Sequence, residues 1–437
     1  MPSGFTRFKV AALNSKLAIV VTVSLLLVSS SLSAPMPLDQ ARKLLLEQND
    51  SLANARLDLE SAKADKQKRF GALLPSLTAS ADLTQGNDFS TSTSSRSALG
   101  SLSLAATLFD GGQNYIEVKK AKLALARQEL KYCSELQQTM LKLRSLYLRA
   151  TLLAFEQQAR DQSRALIKKG FLVASQRFKE GIAVPQDFFR FSAEVERADL
   201  ESQSDLRNRQ NLNEDFSRLL RLANNSVTLE TLNFDAEIKA LRNSLASKQK
   251  SLSERIAALS ASEADLTATQ GLLKRLPTAT LKGSIGPSSD RILGYGASPT
   301  SGSSFDGSVT LSLNFVLWDF DQSSSEHRKA RIEAARAKLA EDSALADAQV
   351  SASQLNRTMQ FLDLQIASDQ RLDDLYQKTF QIVSRQYAQS SVTLLELLDT
   401  LTLWTNSRIR RLKGQSDWLT AAYQYQSLYG DLESCQN

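Results

Sequence analysis

No glycine or proline interrupts the chain between Gln113 and Lys169, nor between Ser308 and Lys413. These are the residues that most strongly end helices and form corners, so such spans predict few, very long elements. In all, 437 residues carry only 17 Gly and 8 Pro, too few for a compact globule of ordinary turn density. Within the spans, apolar residues recur at helical spacing, as at Leu130, Cys133, Leu136, Met140, Leu143, Tyr147 and Ala150, then at Leu355, Met359, Leu362 and Ile366. A mean spacing near 3.5 implies side-by-side coiled packing. A helix from Gln113 to Lys179 would be on the order of 100 Å long at 1.5 Å per residue.

The strand-to-helix passage "LFDGGQNY" from Leu108 returns as "LWDFDQSS" from Leu317, and "LLPSLTASADL" from Leu73 pairs with "RLPTATLKGSI" from Arg275. Asp110 and Asp319 stand 209 positions apart, as do Phe178 and Tyr387. A structural duplication is the economical reading, with a first repeat over 34–222, a connecting segment over 223–240, a second repeat over 241–428 and a tail over 429–437. Each repeat is expected to hold a helix, a β-hairpin (about 76–108 and about 278–317), a long helix (113–179 and 322–388) and a return helix. The connecting stretch "NNSVTLETLNFD" from Asn224 reads as non-helical. The turn after the first long helix contains Gly181 and Pro185, whereas the turn after the second, around Ser390 and Ser391, has neither residue type.

The hairpin strands alternate apolar residues with Ser and Thr, for example Leu311, Leu313 and Phe315 between Thr310, Ser312 and Asn314. Strands of about ten residues with this alternation have transmembrane β-strand dimensions. A soluble hairpin with one wet face shows the same alternation. Four strands cannot close a barrel and lipid does not tolerate open edges, so either the hairpins are soluble or several chains pool their strands.

Residues 1–33 read as a secretory signal, with Arg7, Lys9 and Lys16 before an apolar run and "SLS" before Ala34; an uncleaved anchor is the competing reading. Net charge falls from +6 to +3 when those three cations leave, and the remaining charges are interspersed, which gives no nucleic-acid footprint. His327 is the only histidine, and the next-door Arg328 and Lys329 mark it as a surface residue. Neither a catalytic motif nor a soft-metal ligand set occurs, so no enzyme activity, cofactor or metal is expected. Cys133 and Cys435 permit one disulfide in an exported chain; two free thiols are the alternative.

Together the two hinges, the "LPS" and "LPT" strand openings, "RFKEGIAVPQDFFRFSAEVERADL" and "RQYAQSSVTLLELLDTLTLW" resemble the TolC-like outer-membrane efflux protein family. The resemblance implies a mixed, mostly α fold in a homotrimer: a twelve-stranded transmembrane β-barrel, four strands per chain, continued by a long-helix α-barrel through the periplasm. It implies an outer-membrane exit duct of a tripartite efflux or type I secretion system, working with a periplasmic adaptor and an inner-membrane pump. Phe109, Asp110, Trp318 and Asp319 would then mark the membrane boundary. Glu396 and Asp399, with Tyr387, would form the periplasmic constriction. Ser390 stands where the family usually has Gly, and Val392 where some members have Arg. A periplasmic coiled-coil scaffold or adaptor without a pore is the competing reading.

Overall fold

The computed structural model describes residues 35–88, 93–181, 185–222, 229–244, 250–287, 305–389 and 391–429. The expected signal segment, 1–33, lies outside them, as do Ser390 and Cys435. The described elements run, in chain order, α1 (Leu38–Gln48), α2 (Asp50–Gly71), β1 (Ser76–Asp88), β2 (Thr93–Phe109), α3 (Gln113–Lys179) and α4 (Pro185–Leu220). They continue as α5 (Phe234–Ser244), α6 (Leu252–Leu273), β3 (Thr278–Pro287), β4 (Phe305–Asn314), α7 (Gln322–Ala388) and α8 (Leu394–Tyr429). The same order occurs twice with equal helix lengths: 11, 22, 67 and 36 residues in each series. Two compact units divide the chain, one of residues 1–50, 139–246 and 356–424, the other of 51–138, 247–355 and 425–437.

In the first unit, Tyr147 is fully buried, meets Phe216 edge-on at 5.9 Å and donates its hydroxyl to Met36 O at 2.9 Å. Thr151 Oγ1 accepts from Leu232 N at 3.0 Å, so a side chain of α3 satisfies the backbone just before α5. That helix begins at Phe234, inside the stretch expected to be non-helical. Asn233 Oδ1 accepts from Ala236 N at 3.2 Å, Asp235 and Glu237 supply the acids favoured in a first turn, and Phe234, Ile238 and Leu241 form the buried stripe. Gln415 and Tyr423 of α8 then bond Asp235 at 2.7 Å and Glu237 at 3.1 Å. A second cluster of the same unit packs Ile167, Ala174, Phe191 and Leu401 with Tyr387, Phe380 and Trp404 around them. Gly170 belongs here because the Phe191 ring lies where a Cβ would be, 2.5 Å away.

In the second unit, α6 starts at Ser251, whose hydroxyl accepts from Glu254 N at 3.1 Å, and Leu252 joins Leu130 and Cys133 in a buried cluster. His327, expected at the surface, is half-buried, with Nδ1 3.0 Å from Ala268 O: α7 packs on α6 at this point and Gly271 leaves room for it.

The four strands form one antiparallel meander, β1-β2-β3-β4. The β3–β4 ladder stops at Asn314, short of the expected Leu317, because Thr278 opposite it is the first residue of β3. The register places Leu77, Ala79, Ala81 and Leu83 of β1 with Leu102, Leu104 and Ala106 of β2, Leu281 and Ile285 of β3, and Leu311 and Leu313 of β4 on one face. Ser and Thr hold most of the other face. Serine hydroxyls pair across it, Ser80 with Ser101 at 2.7 Å and Ser284 with Ser308 at 2.8 Å. Among the described residues the apolar face has no cover: Leu83 is 86% exposed and Leu311 66%.

Candidate functional site

The first hinge is built from Asp110. Its carboxylate accepts from Gly112 N, just before α3, at 2.9 Å and from Asn114 N in the first turn of α3 at 2.6 Å, satisfying an N–H that the helix leaves unpaired. Gly111 and Gly112 take positive φ, 67° and 85°. Gly111 is also sterically required, since a Cβ would lie 2.8 Å from Leu276 Cβ and 3.0 Å from Leu273 O. At the second hinge Asp319 accepts from Ser323 N at 2.9 Å and from the Ser323 hydroxyl. The Ser323 hydroxyl first, then its N–H, holds the Asp319 carboxyl below the usual carboxylate range. Here the two positive-φ positions belong to Phe320 and Asp321, at 48° and 68°. Only the fact that "DFD" stands where the first hinge has "DGG" could have pointed to them in the sequence. Trp318 and Phe320 meet edge-on at 6.1 Å and are 76% and 89% exposed, and Phe109 is 48% exposed. Both hinges thus present an aromatic at the strand-to-helix passage, a residue type that favours membrane–water interfaces.

The turns after the long helices are closed by different chemistry. After α3, Gly181 has φ 70°, and Pro185 opens α4 at the first helical position, where its missing N–H costs nothing. After α7, Ser391 donates both its N–H and its hydroxyl to Gln386 O, at 3.0 and 2.9 Å, and Thr393 Oγ1 accepts from Glu396 N at 3.4 Å. Serine and threonine caps therefore do what Gly and Pro do in the first copy, which explains a turn carrying no breaker residue. Around the first turn Phe178 stacks on Phe188 at 5.0 Å, and Phe188 meets Phe189 at 5.6 Å.

Glu396 and Asp399 lie in the first two turns of α8, both exposed and three residues apart, while Leu398 and Leu401 turn inward to the Phe191 cluster. Glu396 sits where the helix N-terminus favours an acid. Tyr387 is half-buried and packs against the same cluster. Cys133 is 1% exposed, and no cysteine among the described residues is free. No group of three or more His, Cys, Asp or Glu among the described residues could hold a metal, and none of their helices is long and apolar enough to cross a membrane.

The fold described above, long helices joined through capped hinges to a sheet with one apolar face, is shared with solved structures. The Campylobacter jejuni CmeC outer membrane channel superposes with a TM-score of 0.75 at 14% identity, covering 90% of this chain and 85% of that one. A membrane protein from Pseudomonas aeruginosa gives 0.76 at 18% identity, covering 90% of each chain. The Vibrio cholerae outer membrane protein VceC gives 0.74 at 14%, covering 90% and 96%. No curated protein matches the sequence. Residues 41–225 match the family model of the outer membrane efflux protein, so the resemblance to the TolC-like outer-membrane efflux family stands on sequence there and on fold over nine-tenths of the chain.

Proposed function

We propose that this protein is the outer-membrane exit duct of a tripartite efflux or type I secretion system, conducting substrates passively from an inner-membrane pump across the periplasm and outer membrane. One observation carries the reading: a four-stranded sheet with an exposed apolar face, a Ser/Thr face and two unpaired edge strands, β1 and β4. In water, that face would be a large apolar patch and the edges an aggregation hazard. In lipid, the edges must be paired. Closure by further copies satisfies both conditions, with the apolar face toward lipid and the hydroxyl face around water. Three copies would give the twelve-stranded barrel that the family resemblance implies.

Transport energy comes from the pump, reached through a periplasmic adaptor, since the duct has only to hold a path open. Glu396 and Asp399 of the three copies would converge at the periplasmic constriction, held on α8 by the cluster that includes Tyr387. A Cys133–Cys435 bridge, tying the C-terminal tail to α3, is supported by the buried, non-free Cys133. The test is fractionation followed by planar-bilayer recording. Protein recovered from the outer membrane should form pores of one conductance without nucleotide or a proton gradient. Recovery in the periplasmic fraction with no conductance would favour the scaffold reading.

A further inference from the structure

We propose that Lys282 sets the charge selectivity of the membrane-spanning part of the duct, as an anion-favouring collar on the hydroxyl face of the sheet. The inference rests on the closed barrel proposed above. It concerns a residue that neither the hinges nor the constriction involves.

The strand register decides which way Lys282 faces. It lies on the face of Thr280 and Ser284, two residues either side of it, while the neighbouring Leu281 belongs to the apolar face. Across the ladders it stands opposite Ala105 of β2 and Thr310 of β4, and Ala105 in turn stands opposite Ser76 of β1. Every described neighbour at this level is small and neutral, so among the described residues of the level no acid faces the ammonium and no bulky side chain covers it. Lys282 is exposed. A lysine on the lipid side would cost from about 0–1 kcal/mol near an interface to about 2–4 kcal/mol at mid-membrane, whereas the lumen side is where substitutions tune selectivity.

By register, the acids on the hydroxyl face of the described strands are Asp82, Asp88 and Asp306, and all three stand away from this level. Asp306 pairs with Gly286, four residues along β3 from Lys282, roughly 13 Å at the rise of a strand. Asp82 is six residues along β1 from Ser76, roughly 20 Å. The face therefore carries its cation toward the strand ends that lead into the helices and its acids toward the hairpin loops. Three copies would place three ammonium groups at one level inside low-dielectric walls, the arrangement by which rings of Lys select anions. The substrate class favoured there is anionic, and the collar acts separately from the acids at Glu396 and Asp399.

The test is the reversal potential of single channels in a shallow KCl gradient near 0.1 M, where the Debye length is about 10 Å, so that the acids farther along the face are largely screened from the level of Lys282. Relative to wild type, Lys282→Gln should lower the chloride-to-potassium permeability ratio about two- to threefold, and Lys282→Glu should lower it further. The double variant Lys282→Gln/Thr310→Lys moves the cation to the facing position of the same level and should restore the wild-type ratio. Conducting channels with an unchanged ratio in both single variants would overturn the collar and leave the duct standing. A wild-type protein that conducts nothing would overturn the duct, and the collar with it.

Discussion

Asp321 and Phe320 hold a left-handed backbone that costs an L-residue about 1–2 kcal/mol, at the positions where the first hinge uses Gly111 and Gly112. The second hinge therefore retains strain that the first avoids. Asp321→Gly should raise stability by about 1 kcal/mol, since the carboxylate that caps α7 belongs to Asp319 and stays in place. The converse change at the first hinge, Gly111→Ala, adds a Cβ 2.8 Å from Leu276 and should cost about 2 kcal/mol. Thermal unfolding of the detergent-solubilised protein checks both: Tm should rise for the first variant and fall for the second. A fall for Asp321→Gly would mean that its side chain makes a contribution outweighing the backbone strain.

At the scale of elements, α3 and α4 are joined by ion pairs as well as by the Phe191 cluster. Asp205, 6% exposed, pairs with Arg160, and Asp199 pairs with Arg164 and, at 3.3 Å, with Lys168. Asp205 is buried, but Arg160 is partly exposed and keeps Glu156 at 3.7 Å, so Asp205→Ala should destabilise by about 1–2 kcal/mol. The checks are a lower Tm and faster amide exchange in α4 around Asp205; a loss below about 0.5 kcal/mol would show that water already solvates the pair. That the long helices are continuous is legible in sequence, since Gly170 late in α3 is the one breaker residue within them and an Asp caps each start. The two faces of the sheet are legible from simple alternation. The start of α5 is not, because "LNFD" becomes helical through the Asn233 cap and the bonds from Gln415 and Tyr423 of α8. Nor is the closure of the second turn, where Ser391 and Thr393 act by side-chain hydrogen bonds that residue type alone leaves undecided. The burial of His327 against Ala268 was hidden by the charged neighbours in its sequence, since tertiary packing sets its environment.

At the scale of the whole molecule, the proposed constriction rests on residues with little to do in one chain. Glu396 and Asp399 are exposed, and convergence of several copies, as proposed, would give them a shared field. Replacing both by Ala should weaken block by polyvalent cations applied from the periplasmic side, raising the half-blocking concentration roughly tenfold, with each single change giving part of the effect. Unchanged block in single-channel recordings would return the two acids to an ordinary solvated face. The same logic governs the sheet, whose apolar face and β1 and β4 edges find no partner among the described residues and in lipid would need one. The most direct test is the native mass of the protein extracted from the outer membrane in mild detergent. The account predicts a single stable assembly of three chains. A folded monomer stable under those conditions would contradict it.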